Sequence, residues 1–88
     1  MEQERFEEIL NAYVYDKTVE RFECCHILNG LNVIAKYLPK EGICAAEHDQ
    51  VWSADVVDII KARITEDDAK ILSAYGWHIE DDALTHYT

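Results

Sequence analysis

Basic residues are scarce in this chain of 88 residues. Eight Lys and Arg stand against eighteen Asp and Glu, which gives a formal net charge of −10. A surface that binds phosphate backbones or anionic membranes needs clustered Lys and Arg. The acids run from Glu2 to Asp82. We therefore expect no direct binding of nucleic acid and no membrane binding, and the partner best suited to such a surface is a basic protein.

Long apolar runs are also missing. No stretch approaches the ~18–20 apolar residues of a membrane span, and the acidic start Met1-Glu2 leads into no apolar signal region. The three cysteines, Cys24, Cys25 and Cys44, are an odd number, and adjacent cysteines rarely meet disulfide geometry. These features predict reduced, largely buried thiols in a cytoplasmic protein.

A single proline and three glycines leave few enforced turns. The length suits one domain, residues 1–88, with one modest core. Pro39 and Gly42 mark the only firm boundary, because proline disfavours helix at the residue before it and glycine suits a turn. We predict a helical hairpin within residues 1–38 and a strand-helix-hairpin segment over residues 43–88.

Apolar residues at helical spacing predict the two helices of the hairpin, over about residues 3–15 and 18–38. Asp16 or Thr18 could cap the second helix, and Gly30 predicts a kink or an interruption within it. The first apolar stripe consists of Phe6, Ile9, Leu10, Tyr13 and Val14, and the second of Cys24, Ile27, Leu28, Leu31, Ile34, Ala35 and Leu38.

The second half of the chain mixes strand and helix signals. Residues 43–52 predict a strand, Ser53 predicts a helix cap, and the β-branched run at 55–61 fits helix or strand equally. Thr65 and Gly76 bound a predicted helix at about 66–75. Residues 77–79 and 84–87 predict two strands joined by a turn at 80–83. The fold class is α+β, with the helical hairpin on a small, mostly antiparallel sheet of about three strands.

Two tryptophans and two clusters of acids are the conspicuous side chains of this half. An indole buries a large area, so Trp52 and Trp77 are expected to anchor the core. The acids at 66–68 suit a helix start, and those at 80–82 suit a solvated turn. Both clusters flank Trp77, and we predict a partner-binding edge there, formed by Glu66, Asp67, Asp68, Trp77, Glu80, Asp81 and Asp82.

Metal binding and catalysis have little support in the sequence. Cys44 and His48 form half of a zinc-type ligand set, but on one strand they would stand about 13 Å apart, at ~3.3 Å per residue. Cys25 and His26 point about 100° apart on a helix, which does not give a thiolate and imidazole pair. The three glycines stand alone, so there is no phosphate-binding loop. We expect no enzyme activity and no cofactor.

Part of the chain resembles a known group of proteins. The stretch Glu47-His48-Asp49-Gln50-Val51-Trp52 and the pattern from Ile64 to Trp77 are similar to small, functionally uncharacterised proteins of bacteriophages, prophages and other bacterial mobile elements. The resemblance covers about residues 43–88. It implies a bacterial or phage setting and implies no particular activity or functional residue.

Together these observations favour a small acidic accessory protein, not an enzyme, that acts by binding another protein. A phage-type inhibitor directed at a host protein, or a nucleic-acid mimic that competes for a basic groove, is the subclass that the resemblance suggests. Two alternatives stay open: a small metal-binding or regulatory domain, and a structural component whose residues Tyr15, Phe22 and Tyr37 cover a homodimer interface.

Overall fold

A computed structural model describes residues 1–12 and 26–87. Its helices and strands confirm the predicted α+β class. The predicted caps Asp16 and Thr18, the thiols Cys24 and Cys25, and the interface residues Tyr15 and Phe22 lie outside the described residues. The elements are α1 (Gln3–Asn11), α2 (His26–Tyr37), β1 (Ala45–Ala46), β2 (Gln50–Asp55), α3 (Val56–Lys61), α4 (Glu66–Ala74), β3 (His78–Glu80) and β4 (Ala83–Tyr87).

The sheet has four antiparallel strands in the order β1-β2-β4-β3. The prediction of one strand over 43–52 is wrong, because the chain reverses within it. The Glu47 amide donates to the Gln50 carbonyl at 2.8 Å, and Ala45 pairs with Trp52 across the resulting hairpin. Polar residues 47–49 form the tip of that hairpin.

The segment at 55–61 is a helix, α3, which begins directly where β2 ends. Ser53 does not cap it. Ser53 lies inside β2, is buried, and donates its hydroxyl to the Gly42 carbonyl at 2.7 Å. Asp55 holds the position before α3 with an extended backbone, and a shift in strand register between Trp52 and Asp55 bends β2 towards the helix.

The predicted signals around α4 and the last hairpin are confirmed. The Thr65 hydroxyl accepts the Asp68 amide at 3.2 Å, as a helix cap does. Gly76 has φ +86°, the left-handed geometry that ends a helix. Asp81 and Asp82 form the turn between β3 and β4, with φ of 53° and 61°.

The two faces of the sheet have different surroundings. Side chains alternate along a strand, and the register aligns Val51 with His86 and Ile79 with Leu84. The face of the sheet that carries these four side chains packs on the core, to which the helices also contribute residues. The core consists of Phe6, Ile9, Leu10, Val33, Ile34, Val51, Ala54, Val56, Ile59, Ile64, Ala69, Leu72, Trp77 and Leu84.

The opposite face, which we call the outer face, carries Trp52, Thr85 and His78 in one row across the sheet. Trp52 is half-buried and lies outside the core, so only Trp77 of the two tryptophans anchors it. The helix α2 continues without a break through Gly30, where an interruption was predicted. No helix in the described ranges is long and apolar enough to span a membrane.

Candidate partner-binding surface

Exposed carboxylates from two separate segments meet at one end of the sheet. Asp81 and Asp82 occupy the turn between β3 and β4, and both are exposed. The Asp82 carbonyl accepts the Val56 amide at 2.9 Å, and Asp55 pairs with Ala83. These backbone contacts hold the start of α3 against the turn. The acidic end, as we name it, consists of Asp55, Asp58, Asp81 and Asp82.

Local backbone requirements explain why aspartate suits each position of the acidic end. A two-residue hairpin turn with positive φ at both positions favours Asn, Asp or Gly, which fits Asp81 and Asp82. Asp55 and Asp58 stand at the start of α3, where negative charge complements the helix dipole. Across residues 1–12 and 26–87, no Lys or Arg lies within ion-pair distance of these four carboxylates. Within the part of the chain that the structure describes, the acidic end therefore presents negative charge without a basic partner.

The predicted acids of α4 have different roles. Glu66 accepts from Arg5 Nε at 2.7 Å, and Arg5 also contacts Glu8 at 3.4 Å, so this carboxylate is already paired with α1. The hydrogen bond and the charge of Arg5 lower the pKa of Glu66. Asp67 is exposed. Of the three acids at 66–68, Asp67 is the one whose carboxylate remains available at the surface.

Asp68 is a buried structural group. Its side chain accepts a hydrogen bond from the Tyr37 hydroxyl and two from Lys36 Nζ, both at 3.1 Å. The Tyr37 hydrogen bond is the main reason that the pKa of Asp68 lies below its ordinary value, and Lys36 adds to it. These contacts join the end of α2 to the start of α4. Tyr37, one of the predicted dimer-interface residues, uses its hydroxyl in this network.

Trp77 lies in the core, with 1 % of its surface exposed. Its indole Nε1 donates to the His26 carbonyl at 3.4 Å, and its ring meets the His86 ring edge-on at 5.4 Å between centroids. In this structure Trp77 therefore joins α2 to the sheet and presents no side-chain surface to a partner.

Glu80 borders the acidic end and faces an aromatic pair. It accepts the Tyr87 hydroxyl at 2.7 Å, and His78 Nε2 lies 3.8 Å from the same oxygen. The His78 and Tyr87 rings stack with centroids 4.5 Å apart. Trp52 lies on the same face of the sheet, because it shares a row with Thr85 and His78. We call Trp52, His78 and Tyr87 the aromatic strip.

Cys44 and His48, the weak metal alternative, do not share one strand. Cys44 precedes β1, and His48 lies at the hairpin tip between β1 and β2. The prediction of buried thiols is wrong for Cys44, which is exposed. Its thiol contacts the Glu41 carboxylate at 3.1 Å, which raises the pKa of the thiol. No cluster of three or more His, Cys, Asp or Glu side chains suited to a metal ion occurs among the residues that the structure describes.

A cavity of about 320 Å³ opens between α1 and α4. It is separate in sequence from the acidic end, and its lining combines apolar or small side chains with three charged ones. The residues that line it are Arg5, Glu8, Ile9, Ala12, Lys70, Ser73 and Ala74.

Comparison with protein-family models, with curated proteins and with solved structures found no match. The relation to mobile-element proteins therefore stays a prediction, as does the absence of enzyme activity. Sequence reasoning found Asp81 and Asp82 but missed Asp55 and Asp58. The only signal for these two was the ambiguous segment at 55–61, and its place beside the last hairpin depends on the pairing of β2 with β4.

Proposed function

We propose that this chain is an accessory protein, not an enzyme, that binds a basic protein partner through the acidic end. The observation that carries the proposal is that Asp55 and the start of α3, whose first turn includes Asp58, lie against the turn of Asp81 and Asp82 at one end of the sheet. Four exposed carboxylates without Lys or Arg partners among the described residues make a local concentration of negative potential. Such a surface attracts a positively charged partner and repels nucleic acid.

The net charge of −10 supports the same class of partner. Long-range attraction from the whole chain speeds encounter with a basic surface, and the acidic end supplies a place where close contacts form. A protein that itself binds nucleic acid has the required basic groove. We propose this as the partner class, with the acidic end standing in for phosphates, and the predicted mobile-element origin makes a host protein the natural target.

A pair of matched double variants tests the proposal. Asp81→Asn with Asp82→Asn removes two charges from the acidic end and keeps side chains that tolerate positive φ. Glu2→Gln with Glu4→Gln removes two exposed charges at the start of α1. Each protein is immobilised and incubated with a lysate of the encoding organism. Bound proteins are then quantified by mass spectrometry at about 0.15 M salt, which is near physiological, and at about 0.5 M salt, where charges are more strongly screened.

We expect the wild type and the α1 variant to capture the same basic proteins, and the acidic-end variant to lose most of them. High salt should release them from all baits, because screening weakens contacts between charges. Capture of the same set by both variants, or of proteins without basic surfaces, contradicts the proposal.

A further inference from the structure

The aromatic strip lies on the outer face of the sheet, next to the acidic end. Glu80 connects the two, since it adjoins Asp81 in the turn and accepts the Tyr87 hydroxyl. The side chain of Tyr87 is 55 % exposed, although it stacks on His78. None of the three strip residues belongs to the core. The exposed Tyr87 ring, with the half-buried Trp52 and His78 beside it, therefore lies next to carboxylates that have no Lys or Arg partner among the described residues.

Negative charge reaches the strip from both ends of the sheet. Glu80 lies at one end, and Asp49 lies in the turn between β1 and β2 at the other. The Glu80 carboxylate raises the pKa of the Tyr87 hydroxyl through their hydrogen bond, and Asp49 adds to this shift through its charge. A ligand group over the Tyr87 ring would feel the same two charges, which favour a cation.

Two hydrogen bonds beside Tyr87 are unmade in this structure. Gln50 pairs with Tyr87 across β2 and β4, and its Oε1 is buried without a hydrogen-bond partner. His78 Nε2 is likewise buried and unpartnered, while its Nδ1 lies 3.4 Å from the Gly76 carbonyl. The Gln50 oxygen can only accept a hydrogen bond, whereas the tautomer decides whether His78 Nε2, which lies 3.8 Å from Glu80 Oε1, accepts or donates.

We infer that the aromatic strip binds an arginine side chain of a basic protein segment, with the guanidinium against Tyr87 and Trp52 and ion-paired with Glu80. This inference rests on the proposed function and names the chemistry by which the partner is recognised. A guanidinium is planar, stacks on aromatic rings and carries five N–H donors, whereas a lysine ammonium is compact and strongly hydrated. An exposed ring with a carboxylate beside it therefore suits arginine better than lysine.

Two capped hexapeptides of equal length and charge serve as probes, one alternating Arg with Gly and the other alternating Lys with Gly. Affinities are measured by calorimetry, and the contact surface is mapped by amide and side-chain chemical shifts. The wild type should bind the Arg peptide severalfold more tightly, because a guanidinium can stack on the Tyr87 ring and donate to the Glu80 carboxylate at the same time, whereas an ammonium is compact and strongly hydrated. The largest shifts should fall on the Trp52 indole and the Tyr87 ring.

Three variants separate this inference from the proposed function. Tyr87→Leu removes an exposed ring and should abolish the preference for arginine, while Tyr87→Phe should keep most of it. Asp81→Asn with Asp82→Asn should weaken both peptides alike. Equal affinity for the two peptides, or an arginine preference that survives Tyr87→Leu, overturns the inference and leaves the acidic-end proposal standing. Failure of the wild type to bind either peptide counts against both.

Discussion

Gly30 of α2 packs directly against the Trp77 indole. A Cβ atom built on Gly30 would lie 1.8 Å from Trp77 Nε1, far inside any allowed contact. The indole in turn donates to the His26 carbonyl, one turn earlier in the same helix. Glycine in the middle of a helix is therefore explained by close approach of a buried ring and not by a break in the helix.

Replacing Gly30 with Ala should destabilise the protein. In an exposed helix this change would stabilise by about 1 kcal/mol through helix propensity. Here the added methyl group must displace the buried Trp77 ring, and overpacking of a core typically costs about 1–3 kcal/mol. Urea unfolding followed by tryptophan fluorescence measures the difference. Asn32→Ala, at an exposed position of the same helix, is the control and should be neutral or slightly stabilising. A Gly30→Ala protein as stable as the control would contradict the packing argument.

Features that depend on a few neighbouring residues could be predicted from sequence. The Thr65 cap, the left-handed Gly76 and the turn at Asp81 and Asp82 each follow from local backbone chemistry, and each is present. The prediction of a kink or interruption at Gly30 was wrong because the glycine is needed to make room for Trp77, which lies far away in the chain. A glycine that admits a ring and a glycine that breaks a helix look identical in one sequence.

Removing the Asp68 carboxylate should cost stability near neutral pH. Asp68 is 8 % exposed and accepts from Tyr37 and Lys36, so Asp68→Asn weakens charge-assisted hydrogen bonds at a covered position. We expect a loss of about 1–3 kcal/mol in the free energy of unfolding. Most of it should be assigned to Tyr37, because Lys36 is 59 % exposed and its contact is screened by water. Asp67→Asn, on the exposed side of the same turn, should change little.

The Asp68 effect should depend on pH in a defined direction. Its pKa in the folded state is lowered below the ordinary value of 3.8, first by the Tyr37 hydrogen bond. The unfolded state therefore takes up the proton at higher pH, and the stabilisation is complete above the unfolded pKa. It is lost as the pH falls through the folded-state pKa. The gap in stability between wild type and Asp68→Asn should be constant from pH 7 to about pH 5 and shrink below pH 4. A gap that widens on acidification would contradict the assignment.

The candidate surface was predictable only in part, for a similar reason. The acids at 80–82 were visible as a turn, but their neighbours Asp55 and Asp58 come from a segment whose helix or strand character periodicity does not decide. The strand predicted at 43–52 failed because no glycine or proline in that stretch marks the reversal between Glu47 and Gln50. In both cases the missing information is which strands pair, and that is decided by contacts across the whole core.

Salt should stabilise this protein. The net charge of −10 favours expansion of the folded chain, and mobile ions screen that repulsion over about 8–10 Å. The melting temperature should rise between 10 mM and 300 mM sodium chloride, a range that takes the screening length from about 30 Å to below 8 Å. Asp81→Asn with Asp82→Asn should melt higher than the wild type at low salt and respond less to added salt. A melting temperature that stays constant or falls with salt in the wild type would show that charge repulsion does not contribute significantly to the stability of the protein.

Cys44 should react slowly with alkylating reagents although its side chain is exposed. The Glu41 carboxylate lies 3.1 Å from the thiol and accepts its proton in a hydrogen bond, which raises the pKa of Cys44 above its ordinary 9.0. Because the thiolate is the nucleophile, a higher pKa lowers the reactive fraction at pH 8. Glu41→Gln removes the charge and should speed alkylation severalfold, whereas Glu47→Gln, which alters an exposed acid at the hairpin tip, should not.

Iodoacetamide labelling resolved by peptide mass spectrometry separates Cys44 from the thiols at 24 and 25. The rate at Cys44 is compared with that of a short unstructured peptide of the same local sequence, so that intrinsic reactivity is accounted for. Equal rates in the wild type, Glu41→Gln and the peptide would mean that the hydrogen bond between Glu41 and Cys44 does not persist in solution. In that case the loop before β1 samples other conformations, and the contact between Glu41 and Cys44 is not what keeps the thiol protonated.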